Sequence, residues 1–195
     1  MAITTNKFGV PVNGARFGIL QPKLKYRFRV EFTNFGPIGA QVIELTRNVM
    51  SVTRPKVSHE EVPIHSYNSV AYIQGKHTWE AIQLTLRDDI SNQVSGLVGQ
   101  QVQKQMNHFE QTSSNTGSNY KFNTTIDILN GDDDSQIETW SLEGCFLQNV
   151  DYSDTDYSTS EPVQVLLTIK YDNAIHENGL FPVGGVTGLA GDNVN

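Results

Sequence analysis

Cysteine is almost absent from this chain: its 195 residues include one, Cys145. That excludes an intrachain disulfide framework and cysteine-rich zinc sites. Long apolar runs are missing as well. No stretch of about 18 apolar residues occurs, so no membrane-spanning helix and no membrane insertion are expected. The first residues, MAITTNKFGVPVNGARFG, hold no apolar h-region, so no Sec-type signal peptide is expected and the chain should stay in the cytoplasm where it is made. A basic surplus is also lacking. Lys and Arg number 14 against 21 Asp and Glu, and the net charge of −7 argues against a general nucleic-acid binder. Apolar residues (37%) and charged residues (18%) are both sparse for a globular domain. Ser, Thr, Asn, Gln and 16 Gly make up the difference. A compact chain of this length still buries roughly 70% of its unfolded surface, so one domain with its own core is expected.

Catalytic and metal motifs are missing too. No GxGxxG follows a strand and opens a helix, and neither GxxxxGK[ST] nor GxSxG occurs, so no enzyme is expected. The histidines are His59, His65, His77, His108 and His176. His59-Glu60-Glu61 lacks the second His of HExxH. His65 and His77 could converge across a hairpin, but no carboxylate or cysteine is placed to complete a site. Asp151, Asp154 and Asp156 suggest a calcium loop. Counted from Asp154, however, the sixth position is Thr159 and the twelfth is Val165, where the loop needs Gly and Glu. That cluster reads as a solvated loop, and Asn130-Gly131-Asp132, which opens the Asp132–Asp134 run, reads as a hairpin turn. No metal and no cofactor are expected. Cys145, within a strand pattern, has no nearby helix N-terminus or cation and reads as a buried, inert thiol.

What is present is mostly an alternation of period two. Tyr26, Phe28, Val30 and Phe32 alternate with Arg27, Arg29 and Glu31, as in a half-buried strand. Tyr120, Phe122, Thr124, Ile126 and Ile128 share one face, with Lys121, Asn123, Thr125 and Asp127 opposite. Ile82, Leu84 and Leu86 form a shorter inward row, and Val163, Val165, Leu167, Ile169 and Tyr171 a longer one. Residues 137–150 read as a further strand, with Gly144 marking a bulge or a close backbone approach. Weaker strands are expected at 41–47 and 49–53. One stretch differs. Ile90, Val94, Leu97, Val98, Met106 and Phe109 are spaced for one face of a helix over about 90–112, with Asp88, Asp89 and Ser91 as cap candidates. Residues 1–22 and 173–195 are Gly- and Pro-punctuated and read as extended arms. They are either frayed ends or segments ordered by a neighbour. The expected fold is mainly β, a sandwich or barrel with one flanking helix, over residues 23–172.

Two stretches carry a family resemblance. The first runs through Val52-Thr53-Arg54-Pro55, Val57–Ile64, Ala71–Trp79 and Ile82–Asp89. The second is Thr139–Asp151 followed by Val163–Asp172, with Leu147-Gln148 standing where a Pro is usual. In order and pattern, residues 24–172 resemble the tail tube protein of contractile-tailed bacteriophages. The tube proteins of contractile bacteriocins and of type VI secretion systems are related by the same likeness.

The resemblance implies a structural protein of the virion tail, assembled in the host cytoplasm. Hexameric rings would stack into an inner tube, with sheath, baseplate and tail terminator proteins as partners and DNA as a non-specific passenger. It implies that a hairpin over about 57–78 makes the inter-ring contact through Ile64, His65, Tyr67, Asn68, Val70, Tyr72 and Ile73. The bland alternative is a long hairpin packed on its own subunit. A DNA conduit gains from an acidic lumen that repels phosphates, and Glu80, Asp127, Glu138 and Glu143 lie on strands as candidates. Two other readings stay open: a bacteriocin or secretion tube, and a monomeric β-sandwich module binding, for example, carbohydrate. The second needs a planar row of aromatics, whereas Trp79 and Trp140 are isolated in the sequence.

Overall fold

The structure is a computed structural model that describes residues 22–37, 43–130, 135–178 and 181–182. The N-terminal arm up to residue 21, most of the Gly-rich C-terminal stretch and the Asp132–Asp134 cluster lie outside the described residues. Two layers of antiparallel strands share one long strand. The first layer holds β1 (Phe28–Thr33), β8 (Phe122–Leu129), the leading part of β9 (Gln136–Asp151) and β11 (Asn173–Asn178), which pairs with β12 (Phe181–Pro182). The second holds the trailing part of β9, then β10 (Gln164–Lys170), β5 (Ile82–Arg87) and β2 (Val49–Val52). Among the described residues the layers do not close into a barrel; they form a sandwich in which β1 and β2 each pair on one side only.

The strand shared by both layers changes partners at Gly144. Cys145 stands opposite Phe122 of β8, whereas Phe146 stands opposite Lys170 of β10. Gly144 has φ 66°, a region that favours glycine. A Cβ there would lie 2.3 Å from Asp172 Oδ2. The positive φ therefore calls for glycine at the switch, and any Cβ would also force the exposed Asp172 carboxylate to shift.

Alternation builds the core. Val30 and Phe32 of β1, Ile82, Leu84 and Leu86 of β5, and Val165, Leu167 and Ile169 of β10 are all buried, while the residues between them are not. Phe32, Phe35 and Phe122 form an aromatic group with ring centroids 4.8–6.4 Å apart. Helix α1 (Ile43–Arg47) contributes Leu45 to the core, and helix α2 (Gln93–Gln105) contributes Val94 and Val98. Gln101 is buried polar and satisfied: its Oε1 accepts from Gly36 N at 2.8 Å and its Nε2 donates to Tyr120 O at 2.7 Å.

Three expectations change. The weak strand at 41–47 is helical over Ile43–Arg47, because one turn carries Leu45 into the core without a further strand beyond the β2 edge. The main helix is shorter than 90–112. Asp89 Oδ1 and Asp88 Oδ1 accept from the backbone N–H groups of Gln93 (3.1 Å) and Ser95 (3.4 Å), so these carboxylates satisfy first-turn donors. At the other end Met106-Asn107 (β6) pairs with Thr112-Ser113 (β7), which ends the helix before the Asn115–Asn119 loop. Ile90 and Phe109, read as part of the apolar helix face, are left fully exposed. Finally, residues 173–178, placed in the C-terminal arm from sequence, form β11 along β9.

Leu167→Ala in β10 should cost about 2–5 kcal/mol, because its site is enclosed on both sides. Gln83→Ala, on the outer face of β5, should stay within about 0.5 kcal/mol. Urea unfolding of the two variants against the parent checks this.

Candidate assembly surface

Between β2 and β5 the chain leaves the sandwich as a two-stranded ribbon, β3 (Val57–Ser66) and β4 (Ser69–Trp79). Among the described residues the ribbon pairs with no other strand. The root is held on the body. Glu80 N donates to Lys56 O at 3.0 Å, the Lys170 ammonium donates to Trp79 O, and the Trp79 ring packs on Tyr171 at 5.8 Å. A two-residue turn, Tyr67-Asn68, closes the tip, with Tyr67 at φ 49°.

All seven residues expected at the contact lie on this ribbon. Register sorts the flanking ones into two faces, since directly opposed residues share a face and successive residues alternate. Val62 and Ile64 of β3 stand opposite Ile73 and Ala71 of β4. On the other face Pro63 and His65 stand opposite Tyr72 and Val70. Both faces are thus apolar, and every one of these side chains is exposed. The expected set included Ile64 and His65 of the first arm, and the register adds Val62 and Pro63 beside them. An isolated two-stranded hairpin is marginal in water, and apolar area removed from water is worth about 25 cal/mol per Å². The ribbon therefore leaves in water an apolar area that a docking contact would cover.

The register also changes the histidine pairing. His65 faces Val70, and it is His59 that faces His77. The cause is a bulge: Gly75 and Lys76 together oppose Glu60. A Cβ on Gly75 would lie 2.9 Å from the Glu60 carbonyl oxygen, so this close approach requires glycine.

The four candidate acids divide into two pairs. Glu80 and Glu143 are exposed, Glu80 with Lys56 at 3.8 Å. Asp127 and Glu138 are buried and compensated inside the chain, contrary to the alternation that put Asp127 on a wet face. Asp127 accepts from Arg29 Nη2 and Gln136 Nε2 at 3.0 Å each and from Thr139 Oγ1 at 2.8 Å. Glu138 gathers Lys23 Nζ at 2.5 Å, Trp140 Nε1 at 2.8 Å and Arg54 Nη1 at 3.5 Å. His176, stacked on Trp140 at 4.3 Å, brings Nε2 to 3.2 Å of the same carboxylate. Burial pushes the Glu138 carboxyl up, but the bonds from Lys23 and Trp140 and the charges of Lys23 and Arg54 outweigh it and hold it at about 2.

Other groups singled out from sequence are quiet. Cys145 is buried, and burial pushes its thiol up to about 11. At the end of β9 Asp151 Oδ1 accepts from Ser153 N, and in the loop that follows Asp156 Oδ1 accepts from Ser158 N, both at 3.0 Å. Trp79 and Trp140 pack against Tyr171 and His176, so they form no aromatic platform. No group of three or more metal-binding side chains occurs among the described residues, and none of the described helices is long and apolar enough to cross a membrane.

Because the folded carboxyl of Glu138 lies below its ordinary 4.5, its contribution is present above that pH and is lost as pH falls toward 2. Glu138→Gln should lower stability at pH 7 by roughly 2–3 kcal/mol. The gap from the parent should close on acidification through this window, as followed by thermal melts at stepped pH.

No family model matches the chain, and no curated protein matches it in sequence. Solved structures do match. A chain from the cryo-EM structure of the anti-feeding prophage baseplate is 15% identical, with a TM-score of 0.61, and the match covers 83% of this chain and 99% of that one. A chain from the same system's tube-terminating cap is 13% identical, TM-score 0.61, covering 91% and 99%. A chain from the sheath-tube complex of the PVC extracellular contractile injection system is 16% identical, TM-score 0.57, covering 80% and 92%. The described domain therefore has the fold of chains that assemble contractile injection systems, the fold that the resemblance to contractile-tail tube proteins implied.

Proposed function

We propose that this chain is a tube subunit: hexameric rings stack into the inner tube of a contractile tail, within sheath, baseplate and terminator proteins, and DNA passes through it. The observation that carries the proposal is the β3–β4 ribbon, apolar on both faces and paired with no other strand among the described residues. The ribbon leaves one end of the β2–β5–β10 layer and therefore reaches away from its own core, toward the next ring. A donor ribbon on one copy and its acceptor on the next make a head-to-tail contact, and such a contact propagates when it does not close. The role is structural rather than catalytic.

Glu80 and Glu143 are the acids that remain for a lumen, since Asp127 and Glu138 are neutralised internally. A wall of this sign repels phosphates and lets DNA slide. A second reading is a contractile injection or secretion tube with another cargo, and the origin of the matching structures favours it.

Deleting 64–73 should leave a folded protein that forms no tubes in negative-stain micrographs at concentrations where the parent does. Normal tubes from the deletion would reject the ribbon's role. Glu80→Lys with Glu143→Lys should preserve tube assembly and slow DNA release from tailed particles, measured by dye entry. Unchanged release, or particles that never hold nuclease-protected DNA, would favour the second reading.

A further inference from the structure

We propose that His59 and His77 form a two-histidine chelate for one divalent transition-metal ion at the root of the ribbon. The two residues are directly opposed across β3 and β4, so their side chains rise from the same face. Their ring centroids are 6.3 Å apart. An ion about 2.1 Å from a ring nitrogen lies about 3.2 Å from that ring's centroid, so two imidazoles on one ion stand at most about 6.4 Å apart. The observed separation is at that limit. Closing the rings by about 1 Å brings the two nitrogens to a tetrahedral angle at an ion. Both residues are exposed, so the His59 ring has room to rotate toward His77.

The juxtaposition depends on the bulge. Without the extra residue at Gly75-Lys76, His59 would stand opposite Lys76, an ammonium that binds no metal. One ring is also held in place, because His77 packs edge-on against Trp79 at 6.0 Å. The charged neighbours in sequence are Glu60, Glu61 and Glu80 against Lys56 and Lys76, an acidic surplus that favours a cation. Imidazole pairs suit Zn²⁺, Ni²⁺ and Cu²⁺, whereas Ca²⁺ and Mg²⁺ require oxygen ligands. No third side-chain ligand completes the set among the described residues, so water fills the remaining positions. A bound ion would join the two strands where the ribbon leaves the body and stiffen its exit. The chelate does not depend on what the ribbon docks against.

The test uses the untagged full chain, titrated with Ni²⁺ and Zn²⁺ in a calorimeter and with Cu²⁺ while tryptophan fluorescence is followed. One equivalent should bind, and Cu²⁺ should quench emission because Trp79 adjoins His77. His59→Ala and His77→Ala should each weaken binding at least tenfold, while His65→Ala binds as the parent does. Circular dichroism confirms that the variants keep their strands. Absence of binding at millimolar metal, or binding that survives both His59→Ala and His77→Ala, would overturn the chelate. Loss of tube formation in the ribbon deletion with metal binding intact in the full chain separates this site from the assembly reading.

Discussion

Strand β9 serves two layers at once, and the rest of the molecule depends on it. A 16-residue strand is long enough to pair with β8 and β11 at one end and with β10 at the other. It can do so only if its backbone turns in the middle, and Gly144 with φ 66° provides the turn. Because the layers are covalently continuous there, their inner faces meet over a single core. That geometry also orients the exits. Strands β2 and β5 end side by side, so the ribbon that joins them leaves the body from one end of the second layer.

The body and the ribbon obey opposite rules. In the body, alternation separates a dry face from a wet one, as expected for sheets packed on one side. In the ribbon both faces carry apolar residues and both face water. Exposed apolar surface of this kind is what a docking contact would remove from water. A monomer gains nothing from these side chains, whereas an assembly gains from every one it covers. Among the described residues β1 and β2 also each pair with a strand on one side only, which leaves backbone groups on the other.

The net charge of −7 gives a misleading picture when read as a uniform property. Asp127 and Glu138 are structural anions. Asp127 ties β1 to β8 and β9 through Arg29, Gln136 and Thr139. Glu138 ties the entry of the domain at Lys23 and the approach to the ribbon at Arg54, with His176 of β11 beside it at 3.2 Å. Their charge acts within the fold. What reaches solvent comes from other acids, Glu80 and Glu143 among them.

The sequence alone determined the class of fold and most of its core, because a two-residue period is a local property of the backbone and survives any tertiary arrangement. Ile82, Leu84, Leu86, Val165, Leu167 and Ile169 were legible in that way, and so was the special position of Gly144. Other features depended on partners distant in the chain and only the tertiary structure decided them. Leu45 entered the core by a helical turn where a strand was expected. Asp127 and Glu138 were buried because Arg29, Lys23 and Arg54 came to meet them. The C-terminal arm began as a strand because β9 offered it an edge. His59 met His77 because a two-residue turn and a one-residue bulge together set the register, and neither is a local signal of which histidines will face each other.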